Sequence, residues 1–327
     1  MTNDINYVMI ETLVRNMLRE VRKDSRRSAR NLIDFAVHFS DGRFQSHFFE
    51  IAHQMLKNEN SPYFELFSDT AWNIDEEHLI RMGMNIGFNS LIDGCRKIRE
   101  TEYKEGYYIP WAIYLSMKNR DIDYLELFKE GENLGIYSWF IYGEGDADYK
   151  LNIISKMGNS AFFLYINPED LTDSLVLKLK GSINVMTMLK EGRGLREAAL
   201  KLREARLPYS FSCRYRDIND IEDEDRIREL VNLHPVFIGY SPEYNVSNET
   251  VNMVYEKILE YRTEQYYSSI FWDAINDDSY INDVISYKNC NIGFDEEGNM
   301  CFYDGSLIRT ETNLRDNKLS DILKNRF

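Results

Sequence analysis

The chain lacks any run of about 18 apolar residues, which excludes a membrane-spanning helix. Its first residues, Met1-Thr2-Asn3-Asp4, have no basic stretch followed by an apolar core, so no secretory signal is expected. Cysteine is scarce. Four residues, Cys95, Cys213, Cys290 and Cys301, are too scattered for a disulfide framework, and a reduced cytoplasmic setting is expected. The chain has no Gly-x-Ser-x-Gly elbow, His-Glu-x-x-His, Cys-x-x-Cys, dinucleotide fingerprint or Walker loop, so none of those chemistries has its usual signature. Positive charge is outnumbered, with 39 Lys and Arg against 54 Asp and Glu, a net −15. Phosphates would be repelled, so nucleic acid is disfavoured as a partner of the whole chain. No repeat or low-complexity tract is present.

What is there is a globular composition of 327 residues, 43% hydrophobic, enough for one large domain or two. Aromatic content is high, at 13%, owing to 22 Tyr and 18 Phe. Residues 1 to about 105 read as helical, with Val8, Ile10, Leu13, Val14, Met17, Leu18 and Val21 at three- and four-residue intervals. Arg19, Arg22, Lys23, Arg26 and Arg27 make a basic rod if the helix is continuous, either solvated against acidic surface or binding a partner. His47, Glu50 and His53 fall three apart on an expected helix, but the second such unit that a carboxylate-bridged metal site requires is missing. Asp75-Glu76-Glu77-His78 predicts a helix start with acidic residues suited to the dipole. The glycines of Gly83-Met84-Asn85-Ile86-Gly87-Phe88-Asn89-Ser90 predict a break before a further helix over 91–103.

From Tyr107 to about Ser241 apolar runs alternate with helical segments, which implies parallel strands joined by crossover helices. Ile109–Met117 reads as a strand, Tyr124–Leu134 as a helix stopped by Gly135, and Ile136–Ile141 as the next strand, closed by Tyr142-Gly143-Glu144-Gly145. Strands are expected over 162–167, 183–188, 209–215, 236–240 and 267–275, with helices over 195–206 and 222–233. Gly192-Arg193-Gly194 reads as a flexible strand-to-helix connection. Asn245-Val246-Ser247 and Asn248-Glu249-Thr250 match the glycosylation pattern but read as helix-capping residues. Residues 290–303 predict a hairpin turning at Asp295-Glu296-Glu297-Gly298-Asn299, with a last helix over 318–324.

This order of elements resembles the radical SAM barrel followed by a SPASM-type extension, over about two thirds of the chain from Ile109 onward. The resemblance implies an α/β fold. It would consist of a helical N-terminal domain (1–106), a partial (β/α) barrel (107–285) and a short SPASM-like hairpin with a C-terminal helix (286–327). In that family a turn after the second strand holds the methionyl amine of S-adenosylmethionine, a role that would fall to Gly143, Glu144 and Gly145. The family's loop after the first strand carries Cys-x3-Cys-x2-Cys for an iron–sulfur cluster. Here that loop is Lys118-Asn119-Arg120-Asp121-Ile122-Asp123, with no cysteine. Tyr303 stands where a SPASM cysteine is common.

A cluster of this kind needs converging thiolates, and the four cysteines offer no such spacing. Cys213 and Cys95 read as packed structural residues, and Cys290 and Cys301 as an unconnected pair. The resemblance therefore implies a pseudoenzyme in peptide modification, without a cluster, in which residual S-adenosylmethionine binding is left open. Its partner would be a peptide or an active radical SAM relative. Two alternatives stay open: an enzyme of another class using Glu144, Asp146 and Asp217 at strand ends, and a regulator acting through the basic helix.

Overall fold

The structure is a computed structural model that describes residues 2–21, 23–39, 55–143, 145–286, 290–303 and 307–326. Among the described residues, the helices that precede the sheet are α1 (Thr2–Val21), α2 (Ser25–Phe39), α3 (Tyr63–Asn73) and α4 (Glu76–Gly83). A π-helical segment, Met84–Gly94, follows and runs directly into α5 (Cys95–Glu105). Two expectations are corrected here. The basic stretch is not one rod, because α1 ends at Val21 and α2 begins at Ser25. The glycines at 83 and 87 do not break the helix. Gly83 ends α4 and Gly87 lies inside the π-helical segment, so the chain runs on through both with a wider helical turn. Asp75 caps α4 as its sequence suggests, accepting from the amides of Glu77 and His78.

Among the described residues the sheet has ten strands, in the order β10-β9-β8-β1-β2-β3-β4-β5-β6-β7. Strands β1 (Ala112–Ser116), β2 (Ser138–Tyr142), β3 (Ala161–Ile166), β4 (Val185–Lys190), β5 (Tyr209–Tyr215), β6 (Phe237–Pro242) and β7 (Ile270–Asp273) are parallel neighbours in chain order. Their crossovers include α6 (Tyr124–Leu134), α7 (Ala147–Ile154), α8 (Asp173–Lys180), α9 (Leu195–Glu204), α10 (Glu224–Val231) and α11 (Asn248–Glu264). Right-handed crossovers between strands laid down in one direction put every helix on one face. The other face can be buried only by curling.

The curl is visible in contacts between strands that are not neighbours. Phe163 on β3 meets Phe237 on β6 with ring centroids 6.2 Å apart, and the Tyr114 hydroxyl on β1 lies 3.4 Å from the Ala274 carbonyl just after β7. Tyr114, Phe140 and Phe163 stack across β1–β3 at 4.5 and 4.7 Å and fill the concave side. Helix α12 (Asn276–Ser286) stands beside β7, and its Asn282 side chain accepts the Trp111 amide at the entry to β1 at 2.9 Å. The architecture is a partial barrel, with β7 at one edge of the sheet.

The helices before β1 run under the entry ends of the strands. Asn85 and Asn89 donate to the carbonyls of Gly158, Asn159 and Ser160 before β3, and the Asp75 amide bonds the Arg206 carbonyl before β5. His78 is buried, with its Nε2 3.2 Å from the Leu179 carbonyl. Met82, Leu91, Cys95 and Ile98 join the main core of the sheet, while Ala29, Leu56, Tyr63, Phe64 and Leu66 form a small core of their own.

The C-terminal hairpin turns at Asp295–Asn299 as expected, with Gly298 at φ +90°. It also extends the sheet. Strand β8 (Ile292–Phe294) pairs parallel with β1, and β9 (Asn299–Tyr303) and β10 (Leu307–Asn313) add antiparallel strands outside it. Helix α13 (Leu319–Arg326) closes the described chain, its first amides held by the Glu130 carboxylate of α6 at 2.9 and 3.0 Å.

Candidate functional site at the ends of the first two strands

In a (β/α) barrel the carboxyl ends of the strands carry the chemistry, because the loops that follow them are free to vary. Here the ends of β1 and β2 converge on one turn. Gly143 sits at φ +95°, and a Cβ there would lie 2.8 Å from Ser116 Oγ, so both the backbone and the space demand glycine. Ser116 is fully buried, and its hydroxyl has no hydrogen-bond partner among the described residues. Gly145 also has positive φ, +73°, but a Cβ there would meet nothing. Glu144 and Arg22 lie outside the described residues, as do His47, Glu50 and His53.

The feature that sequence reading missed is Lys150, on the inner side of α7. It is 2% exposed and donates to the carbonyls of Gly143 at 2.7 Å and Tyr142 at 3.3 Å. Burial, with Lys190 nearby, pulls its ammonium down to about 8. The turn after β2 thus receives an ammonium, and that ammonium belongs to the chain itself. Nothing in the local sequence marks Lys150, since a lysine on a polar helix ordinarily reads as solvated.

The loop after β1 is bound down on both sides. Lys118 reaches Glu296 at 2.6 Å and Asn119 donates to the Glu297 carbonyl at 2.9 Å, both in the β8–β9 turn. Arg120 pairs with Asp146 and lies 3.4 Å above the Tyr149 ring. Asp123 caps α6 by accepting the Glu126 amide at 3.1 Å. Tyr142, at the end of β2, donates to the Phe294 carbonyl at 2.8 Å. Of the acidic residues named from sequence, Asp146 is engaged by Arg120 and Asp217 accepts the Asn219 amide in the turn after β5.

The cysteines sit elsewhere, all free and buried. Cys213 packs in β5 and Cys95 opens α5, as the sequence suggests. Cys290 and Cys301 remain unjoined and have different neighbours. The first lies against Asn282 and Ser286, and the second faces Tyr142, while burial raises both thiols. The residues after β1 therefore do not fit a thiolate-held cluster. Among the basic residues named from sequence, Arg19 pairs with Glu76 at 3.4 Å and Lys23 with Glu20 at 2.6 Å. Arg26 lies 5.8 Å from the Phe64 ring, and Arg27 is exposed, its amide bonded to Asp24. Gly194, in the left-handed region, precedes α9, and Ser247 caps α11 by accepting the Thr250 amide at 3.2 Å.

Strand order, curl and the C-terminal hairpin together define an α/β protein built on a partial (β/α) barrel that the hairpin extends. Solved structures of SuiB from Streptococcus suis share this fold. SuiB bound to S-adenosylmethionine superposes with a TM-score of 0.53 at 12% identity, covering 70% of this chain and 67% of that one. SuiB bound to the precursor peptide SuiA gives 0.52 at 13%, over 70% and 68%. SuiB alone gives 0.52 at 14%, over 91% and 81%. No protein-family model matches the chain, and no curated protein sequence matches it. Among the described residues no helix is long and apolar enough to cross a membrane.

Proposed function

We propose that this chain is a radical SAM-like binding protein of peptide modification that carries no cluster of its own. It would bind a peptide, or serve as the accessory of an active relative, in the cytoplasm. In this reading 1–106 is a helical domain, 107–285 the barrel and 286–327 the SPASM-like extension. The observation that carries it is the closed state of the β1–β2 mouth: a six-residue loop with no thiol, tied to its neighbours by Lys118, Asn119 and Arg120, beside a turn already filled by Lys150. A peptide partner is supported by the neighbour solved with its precursor peptide.

Two measurements test the reading. Anaerobic reconstitution with iron and sulfide is expected to give no stoichiometric cluster absorbance; a stoichiometric band would overturn it. Affinity purification of the tagged chain from its native cell is expected to recover a peptide or a cluster-bearing relative. Any S-adenosylmethionine bound by Gly143, Glu144 and Gly145 has to displace the Lys150 ammonium. Calorimetry is therefore expected to register tighter binding in Lys150→Ala and none in Glu144→Gln.

A further inference from the structure

With the β1–β2 mouth tied shut, the other way to the concave face is the seam between β7 and β1, which no strand pairing closes among the described residues. Helix α12 lies across that seam as a strap, and its two ends are held by different chemistry. At its foot the Asn282 side chain accepts the Trp111 amide at 2.9 Å and Ser286 donates to the Ile109 carbonyl at 2.8 Å. Arg99 of α5 donates there to the Ile285 and Val284 carbonyls at 3.0 and 3.2 Å. None of these donors and acceptors titrates between about pH 4 and 9.

At its head the tie to β1 is the Tyr114 hydroxyl, which bonds Asp278 and lies 3.4 Å from the Ala274 carbonyl. Asn291, ahead of β8, adds a neutral bond to Ser279 at 2.7 Å. Three carboxyl groups are buried around this head, at Asp273, Asp277 and Asp278. Among the described residues one cation serves them: Arg262 of α11 meets Asp277 at 2.8 Å, with the Tyr255 hydroxyl 3.3 Å from the same carboxylate. Asp273 Oδ2 and Asp278 Oδ1 are buried without a hydrogen-bond partner. The other titratable groups facing them are Tyr114 from β1 and Tyr165 from β3. Arg214 of β5, which acts on Tyr165, is exposed and turned to the Pro242 carbonyl at 2.8 Å.

Bare carboxyl oxygens can stay in a dry seam while their groups are neutral. As anions beside Asp277, Asp273 and Asp278 would repel it and each other without a counter-ion, and water becomes the nearest source of solvation. Burial accordingly raises both carboxyls, Asp273 to about 6. The head is the end of the strap free to reach that water, because the foot is pinned by the bonds of Asn282, Ser286 and Arg99.

We propose that α12 is a proton-latched strap: when Asp273 and Asp278 ionise, its head parts from Tyr114 and opens a side entrance between β1 and β7 onto the concave aromatic face. The strap uses only this chain's own residues and does not rest on the peptide reading, so the cluster and co-purification tests can fail without touching it.

Hydrogen exchange on the full chain tests the latch, read by mass spectrometry over 270–286 and corrected for the intrinsic rate at each pH. Asp273 alone, at 3.8 when free and about 6 in the closed seam, predicts an opening that rises about tenfold between pH 5 and pH 8. Asp278 adds to that rise. Helix α6 is the control and is expected to keep its protection throughout. Asp273→Asn/Asp278→Asn is expected to flatten the rise to less than about twofold, since neither amide ionises. Tyr114→Phe keeps both acids and cuts the tie, so 270–286 should open about fivefold more than wild type at pH 5. That variant decides the matter if the double substitution does not fold. Unchanged protection of 270–286 from pH 5 to pH 8 overturns the proposal, as does an equal rise in the double variant. An equal rise in α6 overturns it too, by assigning the change to the whole fold, and so does a Tyr114→Phe chain that opens no more than wild type.

Discussion

The two ends of the parallel sheet bury charge in opposite ways. At the mouth of β1 and β2 the described cations have partners: Lys118 a glutamate, Arg120 an aspartate and a ring, and Lys150 two carbonyls. At the far end, where β7 passes into α12, Asp273, Asp277 and Asp278 are buried together at 0, 5 and 1% exposure. Asp277 has Arg262 at 2.8 Å. Among the described residues, Asp273 gives one oxygen to the amides of Ile275 and Asn276 and leaves the other bare, and Asp278 accepts only the Tyr114 hydroxyl. Burial answers the deficit by raising Asp273 to about 6 and Asp278 well above the ordinary carboxylate range. At one end the buried or bound charges have partners, and at the other burial raises the carboxyls because partners are short. The difference falls where the topology predicts it, since β7 and β1 have no strand pairing between them and a helix fills the seam.

The largest effect is expected at the paired end, where the geometry leaves no slack. Gly143→Val puts a branched side chain at φ +95° with its Cβ 2.8 Å from Ser116 Oγ. We expect about 3–5 kcal/mol of destabilisation by urea unfolding. Gly145→Val, at φ +73° in open space, should cost about 1–2 kcal/mol. Equal costs would mean that the close approach of β1 and β2 contributes nothing.

Lys150→Met sharpens the comparison through pH. The folded ammonium titrates near 8 and the free one near 10.5. The penalty for burying the charge is therefore full below pH 8 and disappears as pH rises toward 10.5. Wild type should gain about 3 kcal/mol on the methionine variant across that window, measured as parallel urea titrations. A constant gap would show that Lys150 is solvated.

At the other end the sign reverses. An acid whose folded value is raised destabilises the fold as pH climbs from its unfolded value, about 3.8, through about 6. Asp273→Asn keeps the acceptor used by Ile275 and Asn276 and removes the charge, while its new amide group lacks a partner. Those opposing terms leave an expected gain of about 1–2 kcal/mol at pH 8, which turns into a loss of about 1 kcal/mol near pH 4, where only the cost of the unpaired amide remains. Glu102, raised by burial to about 7, pulls wild type in the same direction. A variant no more stable at pH 8 than at pH 4, relative to wild type, would place a cation in the seam.

What was legible in the sequence was local. Helix Tyr124–Leu134 was readable to the residue because Asp123 caps it and Gly135 ends it at φ +99°. Strand Tyr209–Tyr215 was equally plain, since its apolar residues fill alternate positions. Strand order and curl depend on which runs become neighbours, and spacing carries none of that. Helices α7 and α12 are not legible because Asp148-Tyr149-Lys150 and Asn276-Asp277-Asp278 look like solvated turns, and they hold Lys150 and Asp278. Strand β10 alternates exposed and half-buried residues as an edge does, and so resembles a loop. The basic residues were legible as charge, but their division between α1 and α2 was not.

The smallest effect tests whether the mouth is closed by exposed ion pairs or by what lies beneath them. Arg120 and Asp146 are 49 and 60% exposed, so their attraction is screened by water and by salt. A double-mutant cycle on Arg120→Ala and Asp146→Ala is expected to give a coupling of about 0.5 kcal/mol, fading at 1 M salt. The Arg120 stacking on Tyr149 should survive that salt, because it depends on contact with the ring face more than on long-range charge. If the pair couples by more than about 2 kcal/mol and salt leaves it intact, the loop after β1 is as dry as the seam beside β7, and the contrast between the two ends disappears.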